Sequence, residues 1–283
     1  MTAPRISQLT IIGVGLIGGS IGQAARQRRL AERVVGVGWR RDSLDRALAL
    51  GALDDATLDP TAAVRQAEIV VFCTPVDQIV AQVVHLAPLC PPGTLLTDVG
   101  STKGAIVRSL DGRLPTTVDF VGSHPLAGSE KRGPEHAVPH LFEGRLTVIT
   151  PTEQTRPAAV ARTRAFWQAL GSRVQLLSPE EHDRALALTS HLPHLVASAL
   201  ASILPPEWAE LTASGFRDTT RIASGDPSIW VGIFRQNRDA LLDALNRLGL
   251  RLDDFREALR ADDAVRLDTL LSEAKIVRDA LGS

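Results

Sequence analysis

Short runs of aliphatic and β-branched residues recur through the first 177 positions, separated by stretches with helical spacing. Seven runs read as strands, at 9–13, 34–38, 69–74, 94–99, 119–123, 146–149 and 173–177. They are continuous rather than alternating, which suits a parallel sheet covered on both faces by helices. A β-α-β start with a glycine-rich first turn predicts a doubly wound, Rossmann-like α/β domain. Beyond Leu177 the pattern becomes helical and no further strand is predicted. Ser178, Pro179 and Glu181 read as N-cap, first helical proline and capping-box glutamate. That helix could run towards Ile203, with Pro193 bending it or ending it early. Asp226-Pro227 repeats the start signal ahead of Ile229, Trp230, Ile233 and Phe234, spaced for one helical face. The expected division is therefore a dinucleotide-binding domain over 1–177 and an all-α domain over 178–283.

Composition adds exclusions. Hydrophobic residues at 44% and charged residues at 22% are ordinary for a soluble globular chain. A formal net charge of -1 gives no electrostatic reason to bind nucleic acid or an anionic membrane. Residues 1–8 lack the apolar segment of a signal peptide, and no run approaches the roughly 18 apolar residues of a membrane span. The two cysteines, Cys73 and Cys90, form no CxxC pair, so neither a disulfide framework nor a zinc site is expected. Cys73, in an apolar run, reads as a small buried hydrophobe. A cytoplasmic chain without a bound metal is the expectation.

The strongest local signal is the glycine motif. Gly13-Val14-Gly15-Leu16-Ile17-Gly18 is G-x-G-x-x-G placed directly after a strand and opening a helix. Gly13 permits the tight turn, Gly15 lets backbone approach a pyrophosphate, and Gly18 brings helix and strand together. Leu16 and Ile17 in that turn, with Thr74 and Pro75 at the end of the third predicted strand, complete the expected cofactor-binding set. An NAD-selective site would carry a carboxylate at the end of the second strand to hold the ribose 2′-OH. Here Gly38 occupies that place, followed by Trp39, Arg40 and Arg41. Two guanidinium groups suit a 2′-phosphate, so NADP is favoured over NAD. The plainer alternative is that Arg40 and Arg41 are solvated loop residues.

Three further segments carry polar residues that a fold alone would not require. They are Asp98-Val99-Gly100-Ser101-Thr102-Lys103, the stretch His124-Pro125-Leu126-Ala127-Gly128-Ser129-Glu130, and the pair Ser190-His191-Leu192-Pro193-His194 with Phe216-Arg217-Asp218-Thr219-Thr220-Arg221-Ile222-Ala223. Together with the glycine motif, these ordered segments resemble the prephenate/arogenate dehydrogenase family along essentially the whole chain. The resemblance implies oxidative decarboxylation of prephenate to 4-hydroxyphenylpyruvate and CO2, or of its amino counterpart arogenate to tyrosine. It also implies a helical domain that binds substrate and forms a homodimer. His124 matches the histidine that takes the proton of the substrate 4-OH, and a neutral imidazole suits that task. Ser101 matches the serine that positions it. Arg221 matches the arginine that clamps a substrate carboxylate. Ser190, His191 and His194 match a polar group facing the substrate, the two histidines three apart on one helical face. Asp218 is expected to orient that group, with Glu130 linked to it.

Without the resemblance, several of these residues have plainer readings. His124 before Pro125 could end a strand, and Trp230 and Phe234 could be core or interface residues. His191 and His194 lack the carboxylate or third ligand of a zinc site. His136 and His140 flank Pro139 and read as loop residues; Arg217, Lys103 and Lys131 could be local charges. The chain departs from the family pattern at Gly38 and at Gly232, where the family has an aspartate. An appended regulatory domain is not expected within 283 residues. Two rival functions remain. A β-hydroxyacid type of dehydrogenase would use a helical-half lysine, but only Lys275 follows Lys131. A non-catalytic NADP-binding sensor would bind cofactor without turnover.

Overall fold

The computed structural model describes residues 5–129 and 131–282. Eight strands form one sheet: β1 (Ile6–Ile12), β2 (Ala31–Val37), β3 (Asp55–Thr57), β4 (Ile69–Phe72), β5 (Leu95–Asp98), β6 (Asp119–Pro125), β7 (Leu146–Thr150) and β8 (Arg173–Leu176). Their spatial order is β3-β2-β1-β4-β5-β6-β7-β8. This is a doubly wound sheet, with strand order reversing between β1 and β4, where ligands of such folds sit.

Side-chain alternation along the strands explains why their runs are continuous in sequence. Leu9 and Ile11 of β1, Ile69 and Val71 of β4 and Leu95 of β5 enter one core cluster, centred on Trp167 and Ile21. Their neighbours Ile12, Val70, Phe72 and Leu96 enter a second cluster on the opposite face, with Ile79 and Ile233. Both faces are buried, so apolar residues occupy successive positions, and the buried polar ones such as Thr10 and Thr97 are hydrogen-bonded.

Two features depart from the sequence reading. Strand β3 was not predicted: its three residues, Asp55-Ala56-Thr57, pair only with β2 at the sheet edge and carry little apolar pattern. The sheet is also not wholly parallel. β6 and β7 are antiparallel, with His124 opposite Val148, while β7 and β8 are parallel. A parallel return needs a crossover, normally helical. Among the described residues between Leu126 and Arg145 the one helical element is the short 3-10 turn Pro134–His136, and the chain comes back alongside β6 in the opposite sense.

The helical half begins as predicted. Ser178 accepts from Glu181 N–H, and the Glu181 carboxylate returns a bond to Ser178 N–H, closing the capping box. The helix does not stop at Pro193. Pro179–Leu186 passes through a wide π turn, Ala187–His191, into Leu192–Ser202. Proline lacks the N–H that would have bonded four residues back, and the wider turn accommodates that loss. By contacts the chain divides into two compact units, one ending at Asn237 and one beginning at Arg238. The second is a hairpin of helices Arg238–Arg260 and Ala264–Ala280, tied by Arg251–Glu273 (3.4 Å) and Arg266–Asp254 (3.5 Å) ion pairs. Among the described residues, no helix is long and apolar enough to cross a membrane.

Candidate active site

The turn after β1 has the geometry of a dinucleotide cradle. Gly13 lies at φ +98°, and a Cβ there would stand 2.8 Å from the Cys73 carbonyl oxygen and 3.0 Å from Thr74 Cγ2. A Cβ on Gly18 would stand 2.1 Å from the Gly13 oxygen. Backbone packing thus demands glycine at both positions. Gly15 differs, since a Cβ there would meet nothing within 4 Å. Space left open at the N-cap of Leu16–Gln27, with no side-chain cap and no acidic residue in the first turn, is what a pyrophosphate requires. Thr74, with its hydroxyl bonded to Gln82 at 2.7 Å, and Pro75, N-cap of Val76–Leu86, border the same turn. Arg40 and Arg41 are exposed beyond β2; Arg41 pairs with Asp45 at 3.0 Å, whereas Arg40 has no ion pair among the described residues.

Adjacent strand ends carry a buried polar cluster. Lys103 and Asp98 form an ion pair with both side chains fully buried, and Lys103 Nζ also donates to the Ser123 carbonyl at 2.9 Å. Ser123 N–H donates to Asp98 at 3.1 Å, its hydroxyl donates to the Asp98 carbonyl at 2.6 Å, and Trp167 Nε1 donates to that hydroxyl at 2.9 Å. These bonds immobilise the residue immediately before His124.

His124 is 8% exposed and lines a cleft of about 1160 Å³. Its Nδ1 lies 2.8 Å from Nε2 of His182, whose Nδ1 lies 2.8 Å from Asp183 Oδ1. The Asp183 carboxylate accepts from Lys103 N–H and Gly104 N–H, each at 2.8 Å, on separate oxygens. Burial opposes its charge, yet the bond from His182 and these two N–H groups hold its carboxyl below the usual range. Burial pushes His124 well below the ordinary imidazole value, and the neighbouring His182 and Lys103 push in the same direction. His182 is lowered by burial, with Asp183 opposing.

The two histidines expected on one face both lie near Trp230, but they differ in their access to the cleft. His191 is fully buried and outside the cleft lining, with Asn237 Nδ2 at 3.0 Å from its Nδ1 and no partner for its Nε2 among the described residues. Burial lowers it to about 4. His194 does line the cleft: its ring stacks on Trp230 at 3.6 Å between centroids, and its buried Nδ1 has no partner among the described residues. Gly225 permits this stack, because a Cβ there would stand 2.6 Å from Trp230 Nε1.

Of the other positions singled out by sequence, Ser101 and Ser190 line the cleft with His124. The contact that holds the His124 ring comes from His182 rather than Ser101. Arg221 and Asp218 are exposed and outside the cleft lining, although Ile222, next to Arg221, is part of it. Glu130 lies outside the described residues. His140, read as a loop residue, and Lys131, read as a local charge, also line the cleft, as does Arg132, which pairs with Asp226. His182 and Asp183 were missed because they follow a capping box and read as an ordinary first helical turn. Their one sequence signal was an adjacent His-Asp pair in a chain of seven histidines.

Comparison with known proteins identifies the family. Residues 21–176 match the family described as "Prephenate dehydrogenase, nucleotide-binding domain" and residues 178–273 that described as "Prephenate dehydrogenase, dimerization domain". The chain is 35% identical over 280 residues to prephenate dehydrogenase of Bacillus subtilis, covering 96% of this chain and 76% of the relative. The structure resembles prephenate dehydrogenase from A. aeolicus in complex with hydroxyphenyl propionate and NAD+, with TM-score 0.92 and 31% identity over 99% of this chain and 100% of that one. It also resembles Synechocystis arogenate dehydrogenase, with TM-score 0.82 and 31% identity over 97% and 99% of the two chains. Likeness to 3-hydroxyisobutyrate dehydrogenase, at 16% identity, is one of fold alone.

Proposed function

This chain belongs to the prephenate dehydrogenase family, and from that premise we propose that its cleft converts prephenate to 4-hydroxyphenylpyruvate and CO2 with an NAD(P)+ cofactor. The observation that carries the reading is His124. Its Nδ1 is engaged from behind, which leaves Nε2 as the ring nitrogen available to a ligand in the cleft. Nε2 takes the proton of the substrate 4-OH as the C–H bond at C4 breaks with its electron pair. The bound nicotinamide supplies the acceptor for that hydride. The ring carboxylate leaves as CO2, the electrons of the broken C–C bond complete the aromatic ring, and the C4 oxygen takes back the proton held on Nε2 to give the phenol. A neutral base is required at the start, and burial keeps His124 neutral.

The rest of the cleft has assignable tasks. Ser101 borders His124 and the substrate hydroxyl. Ser190 and the unpartnered Nδ1 of His194 meet polar groups of the substrate, while Trp230 holds the His194 ring flat. Arg221, beside the cleft-lining Ile222, reaches a substrate carboxylate from the rim, with Asp218 on the preceding turn to orient it. His191 supports the wall through Asn237. Gly15 and the open N-terminus of Leu16–Gln27 hold the cofactor pyrophosphate. Gly38 in place of a carboxylate, with Arg40 unpaired by any described carboxylate, supports NADP over NAD.

The functional division is kept at 1–177 for the cofactor and 178–283 for substrate binding and assembly. The hairpin beyond Arg238 exposes Leu250, Leu259, Val265, Leu271 and Ile276, each more than 60% exposed, a surface that a second copy would cover. Unpaired Cys73 and Cys90 accord with work in the cytoplasm.

Purified protein with prephenate or arogenate, each with NADP+ or NAD+, tests the reading through the absorbance of reduced nicotinamide. Turnover of prephenate is expected. Turnover of arogenate alone would move the substrate assignment, and cofactor binding without turnover of either would leave a sensor.

A further inference from the structure

Three buried side chains stand in line behind the cleft, and only one arrangement of their protons satisfies all of them. Asp183 Oδ1 accepts Lys103 N–H and Oδ2 accepts Gly104 N–H, so both oxygens face donors. A carboxylate in that setting has no proton to give, and His182 must donate to it through Nδ1–H at 2.8 Å. A neutral imidazole carries one N–H, which leaves Nε2 of His182 as an acceptor. That acceptor faces His124 Nδ1 at 2.8 Å, so His124 must carry its hydrogen on Nδ1. Its lone pair is then on Nε2, towards the cleft.

From this we infer that His182 and Asp183 are positioning residues that lock His124 in the Nδ1–H tautomer, the form able to accept a proton at Nε2. The inference rests on the functional reading above for its consequence in catalysis, but the tautomer itself does not. Burial that keeps His124 neutral also makes it a poor place for the imidazolium formed during turnover. The line offsets this. As His124 gains a proton at Nε2, its Nδ1–H strengthens towards His182, and the Asp183 charge lies against the far side of that ring. The facing groups on every neighbouring element are Lys103, with Asp98, from the β5 end, and His182, Asp183 and His191 from the helix after Ser178. Asp183 is the carboxylate that the line reaches. Its own backbone is fixed by Asn237 Nδ2, which donates to the Asp183 carbonyl at 2.7 Å.

Asparagine at 183 breaks the logic with almost no change of shape. If its NH2 replaces Oδ2, it faces the Gly104 N–H, donor against donor. If it replaces Oδ1, it faces Lys103 N–H and needs an acceptor at His182 Nδ1, which flips both histidines to the unproductive tautomer. The wild-type protein, labelled with 15N at histidine, is read by long-range proton–nitrogen spectra without substrate, with His124→Asn assigning the resonance. His124 protonated on Nδ1 is the expected result; protonation on Nε2 overturns the inference whatever the enzyme's substrate proves to be. Asp183→Asn should lower kcat by about 10²- to 10⁴-fold, as for loss of a general base. Cofactor affinity should persist, and the acid limb of the kcat profile should move to lower pH, which a merely structural residue would not cause. Should Asp183→Asn fail to fold, His182→Phe leaves the Asp183 bonds to backbone intact and must show the same loss of the Nδ1–H form. Near-normal kcat in a folded Asp183→Asn protein would overturn the catalytic consequence. Failure of the wild type to turn over either substrate would overturn the functional reading and leave the tautomer result standing.

Discussion

Two neighbouring glycines should respond oppositely to the same added methyl group. At Gly18 a Cβ would stand 2.1 Å from the Gly13 oxygen and 3.0 Å from Ile11 Cγ2, where ordinary contact begins at 3.4 Å. Helix Leu16–Gln27 would have to retreat from β1 by about 1.3 Å, the difference between 3.4 and 2.1 Å. The obstacle is backbone, which has no rotamer to escape into. Overpacking of this kind costs about 1–3 kcal/mol, corresponding to a Tm loss of roughly 3–10 °C for a domain of this size. At Gly15 the new Cβ meets nothing within 4 Å, so Gly15→Ala should melt with the wild type. Its methyl group would instead occupy the approach kept for the pyrophosphate, and cofactor affinity should fall at least tenfold, or about 1.4 kcal/mol. Thermal melts and cofactor titrations by calorimetry on both variants separate the two effects. Unchanged cofactor affinity in Gly15→Ala would refute the cradle, and an unchanged Tm in Gly18→Ala would refute the close helix–strand contact.

His124→Asn should cut kcat by about 10²- to 10⁴-fold with cofactor affinity little changed, and the limb of rate rising with pH should vanish. In the wild type that limb should lie below pH 6.5, because burial lowers His124; a near-normal kcat in the variant would end its role as base. Arg221→Ala should chiefly raise KM, since a carboxylate clamp acts on ground and transition states alike; an untouched KM would remove it from the site. Wild type should show higher kcat/KM with NADP than with NAD, and Arg40→Ala should narrow the gap; a preference for NAD would refute the 2′-phosphate argument. Light scattering at micromolar concentration should give twice the 30.3 kDa chain mass, and a monomer would refute the covered hairpin. For His191 the folded value is about 4 against an ordinary 6.5, so its contribution is fully present above pH 6.5 and lost as pH falls through 4. The difference corresponds to about 3 kcal/mol, and His191→Leu should flatten that part of the urea-stability profile; an unchanged profile would refute it.

Much of the sheet was legible because burial on both faces leaves a continuous apolar run at each strand, as Ile69–Phe72 shows. Strand β3 was not, because an edge strand of three residues, one of them an exposed aspartate, need not carry the pattern. Capping chemistry located the start of the long helix, since Ser178, Pro179 and Glu181 act within one turn. The π turn escaped because periodicity assumes 3.6 residues per turn. His191 and His194 both lie near Trp230, yet only His194 lines the cleft while His191 meets Asn237, a difference that their spacing of three does not carry. Local motifs named His124 and Ser101, but the partner of His124 lies 58 residues away. Nothing local in Glu181-His182-Asp183 distinguishes a helix start from support for a base.

The antiparallel return of β7 follows from the same economy of chain that builds the cleft. In an all-parallel sheet the segment after β6 would leave the C-terminal edge at once, crossing back as a helix to begin the next strand at the opposite edge. Here Leu126 N–H bonds the Leu146 carbonyl at 2.7 Å, so the connection leaves and returns at the edge where β1, β4 and β5 also end. It leans on the cofactor helix, with Val138 N–H donating to Ser20 Oγ at 3.0 Å, and a Cβ on Gly19 would stand 2.8 Å from Ala137 Cβ. Leu126, Gly128, Lys131, His140 and Arg145 from this connection line the cleft together with Ser190, His194 and Trp230. A crossover helix in its place would leave His124 at an open strand end, reachable by water and without a wall to hold a substrate against it. The reversal that the strand pattern could not announce is therefore the feature that encloses the reacting atoms.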